Sequence, residues 1–127
     1  MFKTNDITLS NVAKCWLSAG HGHGDTGAVA TFAGRTYYEH TVALGVLDRA
    51  KAILEAQKVE VGFVPDGMTL SARIQWVNKN VRNDSLLIEC HMNSGGDAAG
   101  AEMYFYGGNG ESQALAEKFL KVYVKST

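Results

Sequence analysis

Residues 12–27 read VAKCWLSAGHGHGDTG, and this stretch decides the fold. Val12–Ser18 (VAKCWLS) is an apolar run with the length of a short buried strand. It passes straight into a loop that sets Gly20, Gly22, Gly24 and Gly27 around His21, His23 and Asp25. A buried strand ending in a glycine-rich loop loaded with titratable side chains is the layout of an open α/β sheet. In such sheets, ligands collect just beyond the carboxyl ends of the strands.

Outward from that strand, the apolar pattern alternates between two periods. From about Tyr37 to Gln57 it is helical, with Ala43, Val46, Leu47, Ala50 and Leu54 on one stripe of a 3.6-residue period. Lys58–Val64 (KVEVGFV) alternates and is rich in β-branched residues, which predicts a second strand, closed by the turn residues Pro65, Asp66 and Gly67. A second helix is predicted over Thr69–Asn80, with Leu70, Ile74, Val77 and Val81 as its apolar stripe. Ser85–Cys90 (SLLIEC) reads as a third strand leading into His91, and Ala101–Tyr106 (AEMYFY) as a fourth. Glu111–Val124 reads as a last helix with Leu115, Phe119 and Val122 on one face. The order β-α-β-α-β-β-α predicts an α/β fold, a mostly parallel twisted sheet with helices on both faces.

Composition narrows the partners. A chain of 127 residues is one domain's length and long enough to bury a core. Twelve basic residues against 13 acidic ones give a net charge of −1, and there is no basic run, so no nucleic-acid partner is expected. With 46% apolar and 20% charged residues the chain is not of the disordered class. No apolar run approaches the ~20 residues of a membrane helix, so no membrane partner is expected either. The amino-terminal MFKTNDITLSNVAKC is polar and lacks the apolar core of a secretory signal. Cys15 and Cys90 are too few for a disulfide scaffold and lie in apolar runs. They read as small buried thiols, with a zinc ligand or a disulfide as competing readings.

The polar residues past the predicted strands are the candidates for chemistry. Past the first stand His21, His23 and Asp25; past the third stand His91, Asn93 and Ser94; at the start of the first long helix stands Glu39, beside His40. Gly22, Gly24 and Gly27 formally spell the dinucleotide fingerprint G-x-G-x-x-G. Its context is wrong, since Ala28–Arg35 (AVATFAGR) carries Gly34 and no helix start, and Asp48, near the ~20-residue spacing of the ribose-binding acid, lies mid-helix. A plain glycine turn and a phosphate-binding loop are further readings, although no Lys follows the glycines as in a P-loop. Catalytic zinc takes about three protein ligands and keeps one position open for water. His21, Glu39 and His91 supply two imidazoles and a carboxylate, donors that suit zinc. The glycines flanking His21 let the backbone bend so that its ring can reach over the sheet edge.

These residues fall into a known pattern. The chain resembles the catalytic domain of zinc-dependent N-acetylmuramoyl-L-alanine amidases, the type found in autolysins and phage endolysins. Gly20-His21-Gly22-His23-Gly24-Asp25-Thr26-Gly27-Ala28 matches the family's Gly-His-Gly-Gly-x-Asp-x-Gly-Ala motif. Glu39 in Tyr38-Glu39-His40-Thr41-Val42-Ala43-Leu44 matches the glutamate that begins the family's first long helix. Leu70-Ser71-Ala72-Arg73 with Asn78 matches a Leu-x-x-Arg-x-x-x-x-Asn helix, Cys90-His91-Met92-Asn93 an Ile-His-x-Asn strand end, and Gly100-Ala101-Glu102-Met103-Tyr104 a Gly-x-Glu-hydrophobic-Tyr strand. The resemblance implies one Zn²⁺ ion held by His21, Glu39 and His91. It implies a muramyl peptide of peptidoglycan as substrate, and cleavage of the amide between N-acetylmuramic acid and L-alanine.

The chain departs from the family pattern at several points. His23 stands where the family usually has glycine and competes with His21, which holds the matching position. His40 points ~100° round the helix from Glu39 and reads as a supporting or surface group. Glu89 stands where serine is commoner; it shares a strand face with His91 and reads as a partner for a histidine or a spare polar group rather than a catalytic one. The family's catalytic glutamate follows a further helix on a last strand, and nothing from Lys121 onward (KVYVKST) matches it. No catalytic residue is therefore assigned, and residues 1–127 are expected to form a single amidase-like domain lacking its last helix and strand. The alternative function is a zinc-binding or cell-wall-binding module of the same fold with impaired turnover, since loss of an acid/base group costs ~10²–10⁴ in rate. The expected location is the cytoplasm until release to the wall, as for a phage endolysin, or the wall itself for a domain of a secreted autolysin.

Overall fold

The structure, a computed structural model, describes residues 12–94 and 100–126, so most of the polar amino-terminal stretch lies outside the described residues. The described residues divide into two units, 12–94 and 100–126.

The first unit runs β1 (Cys15–Ala19), β2 (Val29–Phe32), β3 (Arg35–Tyr38), α1 (Glu39–Ala56), β4 (Val61–Phe63), α2 (Leu70–Asn80) and β5 (Leu86–Cys90). Three of these strands form a parallel sheet in the order β4-β1-β5. The central strand β1 is apolar on both faces because it is covered on both. Cys15, Leu17 and Ala19 pack with Ala43 and Leu47 of α1 as the buried core. On the opposite face Trp16 meets Trp76 of α2 edge-on, with ring centroids 5.3 Å apart. The topology accounts for this layering. The chain steps from β1 out to β4 through α1, then back past β1 to β5 through α2. Right-handed crossovers in opposite directions put their helices on opposite faces. The α/β class, the mainly parallel sheet and the two-sided helices are as the sequence predicts.

Three local expectations are corrected. First, α2 keeps only the later half of its predicted stripe: Val77 and Val81 are half-buried, but Leu70 and Ile74 are exposed, and the helix turns Arg73 and Trp76 inward instead. The polar Arg73 wins the inner position because partners wait for it at the sheet end. On α1, Val46 likewise faces solvent while the rest of its stripe packs on the sheet. Second, residues 28–38 form an antiparallel hairpin, with Val29 opposite Tyr38 and Phe32 opposite Arg35. Its two-residue turn, Ala33-Gly34, has positive φ at both positions (49° and 74°), the primed geometry that matches strand twist. Third, Ala101–Tyr106 forms no strand among the described residues. Its aromatics have strand propensity, but a strand exists only through a hydrogen-bonded neighbour.

In the second unit, α3 (Gly110–Ser126) follows Asn109, whose side-chain oxygen accepts from the Ser112 amide at 3.0 Å. It buries Ala116, with Leu115 half-buried, and leaves Phe119 and Val122 of the predicted face exposed. No described helix is long and apolar enough to cross a membrane.

Candidate metal centre

Two adjacent strand ends and one helix start meet at the carboxyl edge of the sheet. β1 and β5 stay paired one residue beyond the ladder, where the Gly20 amide donates to the Cys90 carbonyl at 2.9 Å. His21 and His91 therefore leave the sheet side by side. A Cβ at Gly20 would collide with the His91 ring, so only glycine lets that ring lie across the β1 end. The loop after His21 is held by paired backbone bonds between Gly22 and Asp25, at 2.8 and 3.0 Å. At Gly27, φ is +68°, and a Cβ would meet the Glu39 carboxylate. Glycine is needed there for both reasons.

Glu39 opens α1 and is only 5% exposed. Its Oε2 accepts from the Ala28 amide and its Oε1 from the Met92 amide, both at 2.8 Å. Burial pushes its carboxyl up, but hydrogen bonds led by those two amides outweigh burial and hold it below the usual carboxylate value. The positive end of α1 acts in the same direction.

The two histidines address opposite oxygens of this one carboxylate. His21 Nε2 lies 3.2 Å from Oε2, and His91 Nδ1 lies 3.1 Å from Oε1. The rings stand edge to face, 5.2 Å apart. Each ring's other nitrogen meets a further carboxylate: His21 Nδ1 is 2.8 Å from Asp25 Oδ2, and His91 Nε2 is 2.9 Å from Glu89 Oε1. The hydrogen bond with Asp25 raises the His21 pKa against the opposing effect of burial, and the same bond lowers that of Asp25.

This donor set fits a metal ion. One ligand atom from each of His21, Glu39 and His91 lies within 4.8 Å of the others. A neutral imidazole has one proton for two nitrogens. With that proton directed outward to Asp25 or Glu89, the inward nitrogen presents a lone pair to Glu39. Lone pairs of two nitrogens and two oxygens then converge, an arrangement that a cation completes. Carboxylates on the outer nitrogens are the usual support for metal-binding histidines.

The competing readings of the glycine loop do not match its geometry. The amides of Gly22, Asp25 and Gly27 are already engaged within the loop and that of Ala28 with Glu39, so none is directed at a phosphate. No helix opens at Gly27, and α1 starts only after the hairpin, at Glu39, so the dinucleotide fingerprint has no structural counterpart.

The remaining sequence candidates fall outside the trio. His23 turns away, with Nδ1 at 2.8 Å from the Gly67 carbonyl. His40 supports the backbone behind His21, with Nδ1 at 2.6 Å from the Gly20 carbonyl and Nε2 at 3.1 Å from Asp66. The Gly20 carbonyl raises the His40 pKa most, with Asp66 adding to it. Both cysteines are free, and burial pushes both thiols up. Asp25, a candidate from its place past the first strand, takes part through His21, while Asp66 and Arg73 take part without having been candidates for chemistry in the sequence. The i, i+4 spacing of His21 and Asp25 in a tight loop was the one available signal of such a contact.

Comparison with curated proteins and with solved structures gives no significant match to either. The family comparison does: residues 16–127, which include all three members of the trio, match the N-acetylmuramoyl-L-alanine amidases. The chain therefore belongs to the N-acetylmuramoyl-L-alanine amidase family, hydrolases that act on peptidoglycan.

Proposed function

We propose that this chain is a zinc-dependent peptidoglycan hydrolase that cleaves the amide between N-acetylmuramic acid and the L-alanine of the stem peptide. His21 Nε2, Glu39 and His91 Nδ1 would hold one Zn²⁺ ion. The observation that carries the reading is the convergence of two imidazole nitrogens on opposite oxygens of one buried carboxylate, within the segment that matches the family. When bound, zinc supplies Lewis-acid polarisation of a carbonyl and makes water at the site acidic enough to ionise near neutral pH. The protein's part is to orient donors. Asp25 and Glu89 fix the ring tautomers, and the Ala28 and Met92 amides fix the Glu39 carboxylate. His91 is half exposed at the sheet edge, which suits a polymeric substrate that cannot enter a deep cavity.

The test joins metal content to turnover. Purified protein is expected to carry about one zinc per chain and to release new L-alanine amino groups from purified peptidoglycan. His91→Ala is expected to lose both. Unchanged zinc content in that variant would sink the ligand assignment.

A second reading is favoured by one observation. Both carboxylates bordering the trio, Asp25 and Glu89, already have each oxygen engaged. Neither stands free to carry a proton to the leaving amine. A wall-binding module that holds zinc and turns over ~10²–10⁴ slower than a complete acid/base site fits that arrangement. Zinc without measurable amine release would decide for it.

A further inference from the structure

We propose that Arg73, acting with Glu89 and Ser18, is a positioning clamp that sets the spacing and ring orientation of His21 and His91; this rests on the metal reading above. Arg73 comes from α2, an element that carries neither histidine. Its Nη1 donates to Glu89 Oε2 at 3.2 Å, and its Nη2 donates to the His21 backbone carbonyl. Ser18, buried in β1, donates from Oγ to the same Glu89 Oε2 at 2.7 Å. That leaves Glu89 Oε1 for His91 Nε2, at 2.9 Å. One guanidinium thus grips the backbone of the first histidine and the carboxylate that faces the second.

The chemistry of the groups makes this a constraint on orientation. Arg73 is 5% exposed, and its Nε has no partner among the described residues. Burying such a charge is costly, and an apolar side chain of similar volume would serve packing as well or better. A planar guanidinium fixes two acceptors in one plane at a set separation, which a lysine cannot do. With Oε2 held from two directions, Glu89 cannot swing, and its Oε1, nearer to Nε2 (2.9 Å) than the Met92-bonded Glu39 Oε1 is to Nδ1 (3.1 Å), favours the His91 tautomer that carries its proton on Nε2. The Nδ1 lone pair then faces Glu39. The same grip on the His21 carbonyl holds the turn from which that ring projects.

The test uses the full chain and two readouts. Zinc affinity is measured by competition with a chromophoric chelator. Ring-nitrogen NMR of the metal-free protein at mildly alkaline pH reports the His91 tautomer. In the parent protein, His91 is expected in the single tautomer protonated at Nε2. Glu89→Ala and Arg73→Lys are each expected to weaken zinc binding about 10- to 100-fold and to give mixed tautomers, with the far-UV spectrum unchanged. The double variant is expected to lose no more than the worse single one, because both break the same chain of bonds. Should Glu89→Ala fail to fold, Glu89→Gln keeps the shape and removes the charge, and it is expected to weaken zinc binding. Variants with unchanged zinc affinity and a single His91 tautomer would overturn the clamp. If the parent protein takes up no zinc, the metal reading fails, while the tautomer readout still decides for or against the clamp.

Discussion

Gly20 contributes no side chain, and the site depends on that. A Cβ there would collide with the His91 ring. Gly20→Ala is expected to displace the ring, cost about 1–3 kcal/mol in overpacking and weaken zinc uptake severely. Calorimetric titration with zinc, beside a thermal melt, would measure both effects. A variant that binds zinc normally would show that the ring can move freely. At this scale the sequence was informative where residues stand alone past strands. His21, Glu39 and His91 could be picked out because each lies within two or three residues of a strand end or begins a helix. Asp25 stood out by its place in the loop, four residues from His21, but Asp66 and Arg73 could not, because their roles depend on contacts across the chain. Asp66 reaches His40 over 26 positions, and Arg73 reaches the His21 carbonyl over 52. A polar residue on a helix stripe resembles any solvated residue until the sheet end opposite it is known.

The elements differ in how their ends are secured. α2 opens on Thr69, whose side chain accepts from the Ala72 amide at 3.3 Å. α1 opens on Tyr38 with no side-chain cap, and Glu39 occupies its first turn instead. Its start is therefore tied to the site rather than to a cap. Thr69→Ala is expected to cost about 1 kcal/mol, lowering Tm by roughly 4 °C in thermal unfolding followed by circular dichroism. No change would show that the bond is not formed in solution. Helices α1 and α2 were legible to within about two residues, because a 3.6-residue period sustained over several turns is a strong signal. The hairpin was not legible. Its turn is Ala33-Gly34 rather than the Asn-Gly or Asp-Gly that marks a two-residue connection, and its strands are only four residues each. The expected strand at Ala101–Tyr106 failed for the opposite reason: its propensity was visible, but a pairing partner is not a local property.

For the molecule as a whole, a bound ion would link residues from three segments, β1's loop, the first turn of α1 and the end of β5. Binding to the folded form alone stabilises it by mass action, about 2.7 kcal/mol at a hundredfold excess over Kd. Removing zinc with a chelator is therefore expected to lower Tm by on the order of 10 °C, reversed by zinc and not by magnesium. An unchanged melt would argue against one ion bridging the three. The same architecture gives the protein a built-in optical probe. Its two tryptophans, Trp16 and Trp76, meet where α2 rests on β1, with the Lys14 ammonium 4.2 Å from the Trp16 ring centroid. Arg73 lies one helical turn from Trp76. Intrinsic emission thus reports the seating of one helix rather than an average over the chain, and it does so beside the guanidinium that reaches the metal-facing residues.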